Sequence, residues 1–292
     1  YLFGGFKMLE ILMDAFVDAL VDCLKMLPIL YIAYLVMELF EHHAGEKTNR
    51  IIMRVGKAGP AVGGLLGIIP QCGFSGAVAG FYAARIVSLG TLMAVFLSTS
   101  DEMLPILISG NVSAGTIGKV LLYKVVGGII LGFAVDLVFR FRKKETAEPD
   151  IHDMCTREHC SCDHKNVFLS ALIHSARVIL MIFIVSLALN LVFEFGGKDV
   201  LSDFILNRPL LGEITAGLIG LVPNCSASVL ITNLYVDGVI SIGAMMSGLM
   251  VNGGVGLLVL YRLNKNIKEN IAITVLLYVL GVIGGIVIGL LW

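Results

Sequence analysis

The chain has 292 residues, of which 57% are hydrophobic and 15% are charged, and its formal net charge is -1. A soluble domain is roughly 45–50% apolar and about 25% charged, so this composition indicates an all-α polytopic membrane protein whose main partner is the lipid bilayer. The near-neutral charge gives no support for a nucleic-acid partner. No cleavable signal peptide is evident, and because the first residue is Tyr1 we expect the native start to lie upstream.

An internal repeat organises the chain. Residues 64–72 read GLLGIIPQC and residues 217–225 read GLIGLVPNC, so glycine, proline and cysteine recur at a constant offset of 153 residues. The same offset pairs Tyr82 with Tyr235 further along the chain. Two copies are too few for a solenoid, but duplicated apolar halves are the plan of many secondary transporters. The sequence therefore predicts two related membrane repeats.

Apolar runs of spanning length alternate with shorter, broken ones. In chain order, we expect a span, a hairpin, an interrupted span and a return span in the first half at 24–40, 60–84, 86–108 and 119–140. The second half has the same order at 167–193, 211–236, 239–260 and 271–292. Three full spans of roughly 20 residues each do not fit between Lys57 and residue 110. The hairpins are therefore predicted to be re-entrant, with their tips broken by proline and glycine.

Basic loops predict that the two halves enter the membrane from opposite sides. Lysine and arginine concentrate in cytoplasmic loops, and such an excess occurs at 46–57, 140–144 and 262–268. The loop at 194–213 mixes both signs of charge and is better placed outside. The prediction is two inverted-topology repeats of about five helical elements each, whose broken or re-entrant hairpins meet near the membrane midplane. They occupy 1–140 and 166–292, joined by a cytoplasmic Cys/His-rich linker at 141–165.

Two acidic residues stand near the middle of the first interrupted span. An ionisable group at the depth of Asp101 and Glu102 costs about 2.5–3.5 kcal/mol unless it meets a partner, a wet cavity or a proton. We expect at least one of the two to bind substrate or to carry a proton. The alternative is that these acidic residues form ion pairs with Lys124 or Arg85 that have no role in transport.

The two hairpin tips each combine a soft sulfur with an amide oxygen. Thiolates suit soft ions and thiophilic metalloids, whereas carboxylate and amide oxygens suit harder divalent cations such as manganese. A cysteine in a membrane helix is often only a small packing residue, but these two recur at equivalent positions of two broken elements. With the oxygen ligands at equivalent positions of the interrupted spans, the predicted substrate- and ion-binding residues are Gln71, Cys72, Thr99, Asp101, Glu102, Asn224, Cys225 and Asn252.

The polar linker is rich in soft ligands. It reads HDMCTREHCSCDH, a composition typical of metal binding, although its spacing does not match a closed structural zinc site. We expect a flexible accessory collector or sensor of metal; a solvated, cysteine-rich linker is the alternative. The predicted ligands are His152, Cys155, His159, Cys160, Cys162 and His164.

With its paired PQC and PNC tips, five-element halves and Cys/His-rich loop, the chain resembles the ten-helix heavy-metal exporter family. Members of that family are labelled arsenic efflux proteins or manganese transporters, and the family is distantly similar to the arsenic permeases. The resemblance covers nearly the whole chain. It implies export of a metal or metalloid ion from the cytoplasm across the cell membrane.

We therefore expect a secondary-active exporter working by alternating access, not an enzyme, with the ion as substrate and no cofactor. A divalent transition metal such as manganese is slightly favoured, because an arsenite site wants about three clustered thiols and the membrane region offers only Cys72 and Cys225, with Cys23 peripheral. The chain has no P-loop, so an ion gradient or the membrane potential is the expected energy source. A metal-ion channel and a membrane metal sensor are the alternatives. Proton coupling and a homo-oligomer are both compatible with the sequence.

Overall fold

The computed structural model describes individual residues between 13 and 35, together with 58–68, 72–100, 103–142, 167–192 and 211–292. All regular secondary structure in these parts of the chain is α-helical, which confirms the all-α prediction. We number the helices from the one at 58–66. The first half contains α1 (58–66), α2 (Cys72–Ala83), α3 (Leu89–Ser98), α4 (Met103–Ser109) and α5 (Ala114–Arg142).

The second half opens with a long helix and then repeats the pattern of the first. It contains α6 (Val167–Val192), α7 (Leu211–Gly220), α8 (Cys225–Val236), α9 (Ile242–Val251), α10 (Gly256–Leu263) and α11 (Ile267–Leu291). Each of α2, α3, α4 and α5 begins 153 residues before its counterpart among α8, α9, α10 and α11. The offset seen in the tip motifs thus extends to the helix boundaries.

Within the described residues, four helical stretches are long and apolar enough to cross a membrane. Two are uninterrupted, at Ala114–Phe139 and Ile267–Leu291, and in each of them 33% of the residues in an apolar 18-residue window are buried. The other two are the interrupted spans, α3 with α4 and α9 with α10, where the buried share of such a window is 75% and 89%. The broken helices therefore lie in the protein interior, where other parts of the protein can satisfy the backbone groups freed by a break.

In the first half, helices α1, α3 and α5 pack closely through small residues. In the first half α3 and α5 are antiparallel, so that Gly90 meets Gly132, and a Cβ atom at Gly132 would lie 2.6 Å from the Gly90 oxygen. Helix α1 runs beside α3 in the same direction, with Gly59 next to Thr91 and Gly67 next to Ser98. Small residues let helix backbones approach closely inside a membrane.

The second half has the same arrangement. Helices α9 and α11 are antiparallel, with Gly243 next to Gly285. Helix α7 runs in the same direction as α9, because Gly217 meets Ser247 and Gly220 meets Gly248. The two halves therefore share contacts as well as helix boundaries.

Contacts between the halves are reciprocal. Helix α2 packs along α10, with Gly76 beside Val255 and Val259. Helix α8 packs on α4, and a Cβ atom at Gly110, just after α4, would lie 2.6 Å from Val236. The helix that follows the tip motif of one half, α2 or α8, thus packs against the helix that follows the break in the other half, α10 or α4.

The opening helices of the two halves also contact one another. Among the helical residues between 13 and 35, Phe16 packs edge-on against Phe183, with ring centroids 5.5 Å apart. At the opposite end the Tyr31 hydroxyl donates a hydrogen bond to the Phe168 carbonyl at 3.5 Å. These contacts require the first helical segment and α6 to be antiparallel.

Several boundaries differ from the predicted ones because capping residues extend the helices. Helix α11 begins at Ile267 rather than 271, since the Asn266 side chain caps it by accepting from the Glu269 N–H at 3.3 Å. Helix α5 begins at Ala114 rather than 119. Pro105 lies in the first turn of α4, where proline costs no helical hydrogen bond.

Candidate ion-binding site at two helix breaks

The first break follows α3. Thr99 forms the C-cap with φ -55° and ψ 130°, and the helix resumes at Met103. The Thr99 side chain is buried, and its hydroxyl donates to the Val95 carbonyl at 2.6 Å. A hydroxyl that donates one hydrogen bond still has oxygen lone pairs available, so Thr99 can also act as an oxygen ligand.

The second break occurs at the equivalent place in the other half. Asn252 forms the C-cap of α9 and is only 2% exposed. Its Oδ1 accepts from the Gly254 N–H at 2.8 Å, whereas its Nδ2 has no hydrogen-bond partner among the described residues. Gly254 has φ +54°, a left-handed conformation that glycine adopts without strain. An unpartnered buried amide donor is unusual, and it calls for an acceptor oxygen such as that of a bound water.

The two breaks lie side by side. The Phe96 ring, one turn before the end of α3, packs against the second break, where a Cβ atom at Gly253 would lie 3.3 Å from the ring. At Gly256 a Cβ atom would lie 2.6 Å from the ring and 2.9 Å from the Ser75 carbonyl. The start of α2, directly after the first tip, therefore borders the same region.

Lys124 connects the two breaks. This lysine of α5 is 1% exposed, and its ammonium donates to the Thr99 carbonyl and to the Leu249 carbonyl, the latter at 3.0 Å. One acceptor belongs to each half. From the sequence, Lys124 is expected only as an ion-pair partner of Asp101 or Glu102 without a role in transport, although a lysine inside an apolar run itself indicates a functional position.

The second tip is well defined. Asn224 is the N-cap of α8 and 1% exposed, and its Nδ2 donates to the Ser226 hydroxyl at 3.3 Å. Cys225 is the first residue of α8, and its side chain is buried. Its carbonyl accepts from the Ser228 hydroxyl at 2.7 Å.

Other predicted ligands lie outside the residues that the structure describes. They include Asp101, Glu102, Gln71 and the six histidines and cysteines of the linker; Cys72 begins α2, but its side chain is outside as well. Among the described side chains no group of three or more His, Cys, Asp and Glu could hold a metal ion. Thr99, Asn224, Cys225 and Asn252 are thus the predicted ligands that can be placed, and all four are buried.

A polar cluster joins the halves at the end of α2. Arg85 forms a two-pronged ion pair with Glu269, with nitrogen to oxygen distances of 2.7 and 2.8 Å, and the Tyr82 hydroxyl donates to Glu269 at 2.6 Å. The hydrogen bond to this carboxylate raises the pKa of Arg85 above its ordinary value. Arg85, which the sequence offered as a partner for Asp101 or Glu102, thus pairs with a residue that sequence reasoning had not singled out.

A comparison with known protein families identifies the family of the chain. Residues 7–205 match the family described as "Putative, 10TM heavy-metal exporter", which is more than half of the chain. The chain belongs to this family of membrane transporters, as its motifs predicted. It has no match among curated proteins or among solved structures.

Proposed function

We propose that the protein is a secondary-active exporter that moves a metal or metalloid ion out of the cytoplasm by alternating access. The observation that carries the proposal is the meeting of two buried helix breaks, one from each half, around Phe96, Asn252 and Lys124. Broken helices at membrane depth supply free carbonyls and helix ends, which is how transporters build ion sites without a dedicated domain.

Re-entrant hairpins are supported by the direction of packing. Since α1 runs alongside α3 in the same direction, both helices begin at the same face of the protein. Helix α2 must therefore return from the tip to the face where α1 began, because only a short turn separates it from α3. The same reasoning applies to α7, α8 and α9.

An inverted relation between the halves is supported by the contacts between them. Helices α2 and α10 run side by side in one direction, because Gly256 lies next to Ser75 and Arg85, just after α2, pairs with Glu269 in the first turn of α11, just after α10. Helix α10 therefore ends at the face where the first hairpin begins, so α9 begins at the opposite face. The antiparallel contact of the two opening helices supports the same relation. The face with Arg85 also carries Lys265 and Lys268, which favours a cytoplasmic location.

The favoured substrate is a divalent transition metal such as manganese, with arsenite as the alternative. Carbonyl, hydroxyl and amide oxygens surround the breaks, and such ligands suit manganese. Of the two tip thiols, Cys225 is buried at the start of α8, but a pair of thiols is fewer than an arsenite site wants. We assign proton coupling to Asp101 or Glu102 and an accessory metal-collecting role to the linker at 141–165.

Transport by the purified chain in sealed vesicles tests the function. Uptake of manganese, zinc and arsenite is compared for the wild type, Asp101→Asn and Cys72→Ala/Cys225→Ala, with Asp237→Asn as a matched surface control. We expect manganese flux that drives proton movement, that is lost in Asp101→Asn and that survives removal of both thiols. Arsenite flux that needs both cysteines would reverse the substrate assignment, and flux without proton coupling in the wild type would indicate a channel.

A further inference from the structure

Lys124 holds a position that a free cation could occupy. Its ammonium is almost completely buried and bound to two backbone carbonyls, Thr99 from one half and Leu249 from the other. Leu249 is among the last four residues of α9, whose carbonyls have no partner within the helix, and Thr99 is the C-cap of α3. Both carbonyls therefore lie at the negative ends of helix dipoles.

Such a place stabilises positive charge. Carbonyl oxygens are hard ligands, and the low local dielectric of a buried site strengthens their attraction for a cation. It equally strengthens the repulsion between two cations, so that an ammonium and a divalent ion cannot share the two carbonyls. Whatever binds here must displace the lysine.

The packing of α5 brings Lys124 to both halves. One turn further along the helix, a Cβ atom at Gly128 would lie 2.9 Å from the Ala94 carbonyl of α3, and one at Gly127 would lie 3.5 Å from Met250 of α9. The first is a close approach to the backbone of α3 and the second is an ordinary van der Waals contact with α9, so α5 packs against both interrupted spans. The position equivalent to Lys124 in the second half is Leu277, which is fully buried. Within the repeat, the lysine is thus specific to the first half.

We propose that the Thr99 and Leu249 carbonyls are ligands of the transported cation and that the Lys124 ammonium competes with this cation for the two carbonyls. The ammonium holds the two carbonyls when no ion is bound, leaves them when the ion arrives and helps to expel the ion by returning. This inference rests on the proposed function and deepens it, because it names a cationic substrate and a residue that keeps its affinity low enough for release.

Manganese binding to the purified full chain tests the inference. Lys124→Gln removes the competing charge, Lys124→Arg keeps it, and Lys119→Gln removes a solvent-exposed lysine of the same helix as a matched control. We expect Lys124→Gln to bind Mn²⁺ at least about tenfold more tightly than the wild type, since a buried competing charge has been removed. Transport turnover should fall in the same variant, and the other two variants should retain the affinity of the wild type. Metal held by the linker is common to all samples and cancels in the comparison.

An unchanged or weaker affinity in folded Lys124→Gln overturns the inference while leaving export intact. If that variant does not fold, amine labelling of the wild type decides instead: saturating Mn²⁺ should increase modification of Lys124 relative to Lys119, and equal labelling with and without the ion overturns the inference. A wild type that neither binds nor transports any of the tested ions overturns both the inference and the proposed function.

Discussion

The two halves of this protein share a scaffold but distribute charge differently. Four helices of each half begin at a constant offset, and several of the glycine contacts are equivalent. In contrast, Lys124 has a leucine as its counterpart, and the ion pair of Arg85 with Glu269 corresponds to Gly238 and Thr116. Shape is duplicated while charge is not, which suits a transporter whose two faces meet different solutions.

The helix N-termini of α3 and α9 show that one requirement can be met by different residues. At α3, Asp136 of α5 accepts from the Ser88 hydroxyl at 2.6 Å and from the Gly90 N–H at 2.7 Å. At α9, the carboxylate comes from Glu213 of α7, 3.5 Å from the Ser241 hydroxyl. Both carboxylates lie at the positive end of a helix dipole. The scaffold therefore fixes where a negative charge is useful, but not which helix supplies it.

The strongest test of the shared scaffold is to add a methyl group at equivalent glycines. In Gly132→Ala the new Cβ would lie 2.6 Å from the Gly90 oxygen, and in Gly285→Ala it would lie 2.5 Å from the Ser247 nitrogen. Backbone must shift in both, so each substitution should destabilise the protein by about 1–3 kcal/mol. Thermal unfolding in detergent measures this, with Gly115→Ala, which has nothing within 4 Å, as control. A harmless change at one glycine and a damaging one at its counterpart would contradict the shared packing.

The ion pair of Arg85 with Glu269, just after α2, has no counterpart in the other half of the repeat and so tests how the two halves differ in charge. Arg85 and Glu269 are partly exposed, at 30% and 19%, so a double-mutant cycle with Arg85→Gln and Glu269→Gln should give a coupling of about 1 kcal/mol. Because the pair joins α2 to α11 across the halves, its loss should also favour opening at that face. Labelling of a cysteine introduced at Ser75 should then become faster from the Arg85 side. Unchanged labelling with an intact coupling energy would make the pair purely structural.

The repeat and the breaks were predictable because they depend on local sequence. Proline, glycine and polar residues within an apolar run indicate where a helix stops, and the two interrupted spans do break, at Thr99 and at Asn252. The contacts of Lys124 with the two breaks were not predictable. They are made to backbone carbonyls 25 and 125 residues away, and a backbone acceptor leaves no mark in side-chain patterns. Partners across the halves, such as Glu269, are missed for the same reason.

Neutralising Asp136 and Glu213 compares two carboxylates that come from different helices but lie at the equivalent N-termini of α3 and α9. Asp136→Asn should cost about 1–2 kcal/mol because two short hydrogen bonds to a charged acceptor weaken. Glu213→Gln should cost less, since its carboxylate contact with the Ser241 hydroxyl is longer, at 3.5 Å. The substitution also retains the hydrogen bond of 2.6 Å that the Ser247 hydroxyl donates to the backbone carbonyl of residue 213. Thermal unfolding again gives the values, with Asp237→Asn as the exposed control. Equal losses would mean that the dipole interaction outweighs the hydrogen bonds.

A further comparison concerns the turn after each hairpin, where Arg85 and Gly238 occupy equivalent positions. Both have a positive φ, +60° and +73°, a conformation that costs a residue with a side chain roughly 1–2 kcal/mol. A Cβ atom at Gly238 would meet nothing within 4 Å, so Gly238→Ala should cost only this conformational term, about 1 kcal/mol. Arg85→Gly should unfold at a higher temperature than Arg85→Ala, because both lose the ion pair but only glycine relieves the strain. If the two Arg85 variants unfold together, the turn is free to change its conformation, and the ion pair alone then accounts for the arginine at this position.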